Sequence, residues 1–74
     1  MDLLSHISIE SEIRFGKPCI KGTRITVSDI LKWLASGMTD DEILADYPQL
    51  KKEDIRAALA FAANRESITR IIAA

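Results

Sequence analysis

The sequence predicts a mainly α fold, a three-helix, helix-turn-helix-like bundle with short N-terminal β-strands or a hairpin. Three observations predict it. From Val27 onward, apolar residues recur at helical spacing, and Gly37 and Pro48 divide the pattern into three. Ahead of that, Ile7, Ile9 and Ile13 alternate with Ser8, Glu10 and Glu12, the period of a half-buried strand with one phase break at Ser11. Between the two patterns lies a turn-rich stretch, residues 15–25, which holds two of the three glycines, one of the two prolines and the single cysteine.

Each element has a local cause. Short strands are expected near residues 6–10 and 18–25, with Gly22 supplying the positive φ of an intervening turn. Thr26, with Asp29 three residues on, reads as the cap of a first helix carrying an acid near its positive end. Val27, Ile30, Leu31 and Leu34 form its stripe, and Gly37 ends it. Thr39-Asp40-Asp41-Glu42 is a capping box for a second helix, which Pro48 stops near Tyr47. A third helix is expected from Lys51 or Lys52, with Ile55, Ala58, Leu59 and Ala62 on one stripe and alanines favouring the helical state. The expected lengths are about ten, eight and fourteen residues.

The chain of 74 residues reads as one domain: an extended segment 1–25, a three-helix unit 26–66 and a helical or frayed tail 67–74. A domain this short buries only about 60% of its unfolded surface. With 47% hydrophobic residues, apolar surface is left over, which favours a homodimer. No apolar run is long enough to span a membrane, and the first residues lack a basic region followed by an apolar one. A cytoplasmic protein is expected.

One histidine, His6, and one cysteine, Cys19, exclude a zinc cluster and leave no nucleophile–base pair, so neither a cofactor nor an enzyme is expected. Cys19 between Pro18 and Ile20 reads as a small buried hydrophobe. Gly16 and Gly22 are one residue too far apart for a phosphate loop, and Thr-Arg follows where Lys-Ser/Thr is required.

Three surfaces are candidates for binding. Lys51, Lys52 and Arg56 stand at the start of the third helix, where a recognition helix meets the major groove, although Glu53 and Asp54 oppose them. Arg14, Lys17, Lys21 and Arg24 make an acid-free cationic run between Ile13 and Ser28, able either to grip a polyanion or to brace the turn. Phe61 lies roughly 200° around from Leu59 and Trp33 is off its own stripe, so both are candidates for a partner or dimer interface, or for cover by the N-terminal strands. Ile68, Ile71 and Ile72 share one helical face of the tail and are a candidate partner-binding element.

The stretch Gly16-Lys17-Pro18-Cys19-Ile20-Lys21-Gly22-Thr23-Arg24-Ile25 carries a family resemblance. So do Gly37-Met38-Thr39, Glu42-Ile43-Leu44, Tyr47-Pro48, Leu50, Glu53-Asp54-Ile55, Ala58-Leu59 and Phe61-Ala62. In that order they resemble the domain-of-unknown-function 433 family, related to VapB-type antitoxins, over roughly residues 7–66. The resemblance implies a prokaryotic helix-turn-helix protein that neutralises a PIN-like ribonuclease toxin and represses its own operon by binding operator DNA. Lys51 stands where the family often has a Ser or Thr cap, which implies a weaker helix start and an added cation. The runner-up is a protein-interaction module without DNA binding.

Overall fold

The turn-rich stretch folds back on itself because its residues can close a tight loop. Gly22 adopts φ +81, as the turn requires. Ile20 N–H donates to the Ile25 carbonyl (2.9 Å) and Val27 N–H to the Pro18 carbonyl (2.9 Å), so residues 18–20 run antiparallel to 25–27. The Thr23 hydroxyl donates to the Ile20 carbonyl and accepts from Ile25 N–H, pinning the turn from inside. The computed structural model describes residues 3–73, with side chains through Arg65.

A 3-10 turn at Leu3–His6 leads into β1 (Ile7–Ser8). β1 pairs antiparallel with β2 (Cys19–Ile20) in the register Ile7↔Ile20 and Ser8↔Cys19. The strands are shorter than the alternation predicts. Ile9 falls beyond the ladder and is 61% exposed, so a pattern of apolar residues is present without a partner strand to receive it. A second 3-10 turn, Arg14–Gly16, carries the chain to β2.

Three helices follow: α1 (Val27–Ala35), α2 (Asp40–Asp46) and α3 (Lys52–Ala73). Thr26 and Asp29 form a complete capping box on α1, and Thr39 and Glu42 form another on α2. At the end of α1, Met38 N–H reaches the Trp33 carbonyl and Gly37 N–H the Leu34 carbonyl, a Schellman closure that needs the positive φ of Gly37 (+102). Pro48 follows α2 as expected. α3 has 22 residues, longer than the predicted fourteen, since no glycine or proline interrupts it.

The core joins all these pieces: Ile20 and Ile25 from the loop, Val27 and Ile30 from α1, Ile43 from α2, Leu50 from the link, and Ile55 and Ala58 from α3. The buried face of α3 differs from the predicted stripe. Asp54, Ile55, Ala57 and Ala58 are buried, whereas Leu59 is 47% exposed. The buried face is set by what packs on α3: the 3-10 turn at Leu3–His6, β1, α1 and α2. Among the described residues, no helix is long and apolar enough to cross a membrane.

Asp29 ties this architecture together. Its carboxylate accepts from Thr26 N–H (3.1 Å) and from the Arg14 guanidinium (3.3 Å). Burial alone pushes this carboxyl up, but the Thr26 hydrogen bonds and Arg14 outweigh it and hold it below the ordinary carboxylate value. A lowered folded-state value contributes stability that is present above the unfolded-chain pKa of about 3.9 and lost as pH falls through the folded value. Asp29→Asn is expected to cost about 1 kcal/mol at neutral pH and to flatten the acid side of the stability profile. Urea melts from neutral pH down to strong acid check this, and an acid limb identical to wild type would remove Asp29 from the account.

Candidate functional site

The start of α3 is the first candidate. Lys51, Lys52 and Arg56 are all exposed there, after a five-residue link 47–51 from the short α2. Of the two acids that oppose them in sequence, Asp54 is turned inward, 8% exposed, and Glu53 is half-buried. Lys51 cannot cap the helix with its own side chain. Asp54, three residues on, does the work from the other side: Oδ2 accepts from Lys51 N–H at 2.9 Å. Its other oxygen, Oδ1, accepts from His6 Nδ1 at 2.9 Å; a carboxylate only accepts, so the proton lies on that nitrogen. Asp54 therefore leaves the outward face of the helix cationic while anchoring the N-terminal 3-10 turn.

On α2, Asp41, Glu42 and Asp46 are exposed, and α2 carries no cation. The three-cation face and the acidic face are separate surfaces joined at the link.

The structure divides the four cations of the loop. Arg14 is a brace. Its guanidinium donates to the Arg24 carbonyl (3.0 Å) and to Asp29, tying the loop to the N-terminal end of α1. Of the four, the bracing role thus falls to Arg14, at the helix N-terminus where a carboxylate waits. Lys17, Lys21 and Arg24 are exposed. Arg24 lines a groove of ≈ 570 Å³ together with Gly22, Asp29, Trp33, Tyr47 and Gln49. Lys17 lines a different groove, between the loop, α1 and α3.

Trp33 and Phe61 are not free faces. Trp33 stacks on Tyr47 with centroids 4.2 Å apart and planes 11° from parallel, and both rings pack against the core. Phe61 is half-buried against the core, and the Arg65 guanidinium carbon lies 5.6 Å from its ring centre. Tyr47 from the α2 C-terminus covers Trp33, a contact between elements that neither stripe announces. Cys19 is buried, as expected, its thiol donating to the Lys17 carbonyl (3.3 Å). The side chains of Ile68, Ile71 and Ile72 lie outside the described residues. Among the described residues, no group of His, Cys, Asp and Glu side chains is placed to hold a metal ion.

Sequence reasoning missed two features. The His6–Asp54 bond spans 48 residues, so nothing local signals it. Phe15 is 97% exposed, with φ +59 in a left-handed turn shared with Arg14 (φ +50). An aromatic residue in a mixed loop carries no sequence signal of such exposure.

The fold and these surfaces can be compared with known proteins. The model of a family described as "Protein of unknown function (DUF433)" matches residues 7–62. The chain belongs to the DUF433 family. A crystal structure of a DUF433 member protein from Anabaena variabilis is similar, with a TM-score of 0.76 and 37% identity over 93% of this chain and 69% of that one. No curated protein matches the chain. The fingerprint of this DUF433 protein, Gly16 to Ile25, thus forms the closed loop that seats α1.

Asp54→Ala removes the acceptor of both Lys51 N–H and His6 Nδ1. It is expected to lower stability by about 1–3 kcal/mol, whereas Asp54→Asn, which keeps one acceptor for Lys51 N–H, loses less. Urea unfolding of the two variants checks the order, and equal losses would show that the amide oxygen cannot replace the carboxylate at the helix start.

Proposed function

We propose that this DUF433 protein is a non-enzymatic, antitoxin-like regulator of the cytoplasm. It binds operator DNA through the start of α3, neutralises a partner PIN-like ribonuclease toxin and represses its own operon, working as a homodimer. The observation that carries the DNA reading is the exposure of Lys51, Lys52 and Arg56 on the second helix of a helix–turn–helix pair, with Asp54 withdrawn from the same face. Arg24 extends the cationic surface: it shares a groove with Gln49, two residues before Lys51 in the chain.

The net charge of −1 and the acids of α2 restrict phosphate contact to this patch. Affinity is therefore modest for one copy and rises when two copies present two patches.

The alternative, a protein-interaction module without DNA binding, draws on the same acids. Asp41, Glu42 and Asp46 make an exposed acidic helix. Such a helix is the electrostatic match for the cationic surface with which a ribonuclease holds RNA. Toxin neutralisation belongs to both readings; DNA separates them.

Binding to the DNA upstream of its own gene is expected to weaken steeply with salt. The combined Lys51→Ala, Lys52→Ala, Arg56→Ala variant is expected to flatten that dependence by about 2.7 in the log–log slope, three phosphate contacts at about 0.9 each. No binding by the wild-type chain, alone or with its partner, would leave the interaction module. For the partner, Asp41→Lys with Asp46→Lys is expected to weaken inhibition of the neighbouring gene's ribonuclease at least tenfold; unchanged inhibition would place that contact elsewhere.

A further inference from the structure

Phe15 is a knob without a hole in its own chain. It is 97% exposed, and its backbone sits in the left-handed region, which disfavours any residue but glycine. Strain of this kind persists only where the surroundings impose it. Here they do. Gly16 N–H donates to the Ile13 carbonyl and Lys17 N–H to the Arg14 carbonyl, and the Arg14 side chain is tied to Arg24 and Asp29. The loop holds the ring out in solvent.

A hole lies beside it. A groove of ≈ 350 Å³ is lined by Pro18, Leu31, Phe61 and Ala62, together with Lys17, Arg65 and the Thr26–Ser28 stretch that starts α1. An apolar cavity of about 150 Å³ already admits benzene, so a phenyl ring fits. Lys17 and Pro18 belong to the groove and follow Phe15 by two and three residues. Knob and hole therefore lie within two or three residues of each other along one loop, an adjacency that a two-fold axis can make self-complementary.

We propose that two copies of this chain pair across that surface, each inserting Phe15 into the other's groove between the loop, α1 and α3. The segment that leads into the knob's turn carries Glu10 and Glu12, both exposed, opposite in sign to Lys17 and Arg65 of the receiving groove. The pairing buries the most exposed large apolar side chain among the described residues. It rests on the homodimer of the proposed function, but it uses none of Lys51, Lys52 and Arg56, so it stands whether or not DNA is bound.

Phe15→Gly is the discriminating variant, because glycine accepts φ +59 without strain and the fold is retained. Sedimentation equilibrium of the full chain is expected to show a wild-type dimer. In Phe15→Gly the dissociation constant is expected to rise roughly 100-fold, from two lost phenyl insertions, while the thermal midpoint of the dissociated chain is unchanged or higher. Benzoylphenylalanine placed at position 15 is expected to crosslink to a second chain near Leu31 or Ala62. A monomeric wild type, a Phe15→Gly dimer of wild-type affinity, or a crosslink within one chain or to other residues overturns the proposal.

Discussion

The Asp29 carboxylate is the point on which the arrangement of this small protein depends. It completes the cap of α1 through Thr26 and holds the Arg14 guanidinium. Arg14 in turn grips the Arg24 carbonyl, at the far side of the closed loop. One side chain thus sets the start of a helix, the closure of the fingerprint loop and the left-handed turn that displays Phe15. Nothing covalent supports this: Cys19 is the single cysteine of the sequence, and the β1–β2 ladder is two residues long. A ladder that short is not stable by itself, so it is held by what lies on it, namely the core and α3.

Asp54 plays the corresponding part at the other end of the fold. A buried carboxylate is costly unless its lone pairs are used, and Asp54 uses them on Lys51 N–H and His6 Nδ1. The same arrangement has an electrostatic consequence. By spending its charge inside the fold, Asp54 leaves the exposed start of α3 to Lys51, Lys52 and Arg56. Structural stabilisation and surface chemistry are therefore coupled through one residue, and the acidic face is left to α2.

The two grooves fall on either side of the fingerprint loop. One carries Arg24 with the Trp33–Tyr47 stack, and the other is the apolar slot beside Lys17. The closed, cationic loop contributes to both grooves, Lys17 and Pro18 to one and Gly22 to Ile25 to the other.

The elements legible in the sequence are those with local causes. Thr26, Thr39 and Glu42 cap because a side-chain oxygen meets a free N–H within one turn, and Gly22 and Gly37 bend because only glycine takes their φ without cost. Burial of Cys19 and the stop at Pro48 are of the same kind. What the tertiary structure decided has no local cause. The face of α3 that is buried was set by which elements pack on it, which exposed Leu59 and covered Asp54 and Phe61. Tyr47, at the C-cap of α2, stacks on Trp33 of α1 across 14 residues, and His6 meets Asp54 across 48. The cations show the division most clearly. Their positions and spacing are sequence, but whether each braces or faces solvent depends on whether folding brings an acceptor within reach, as it does for Arg14.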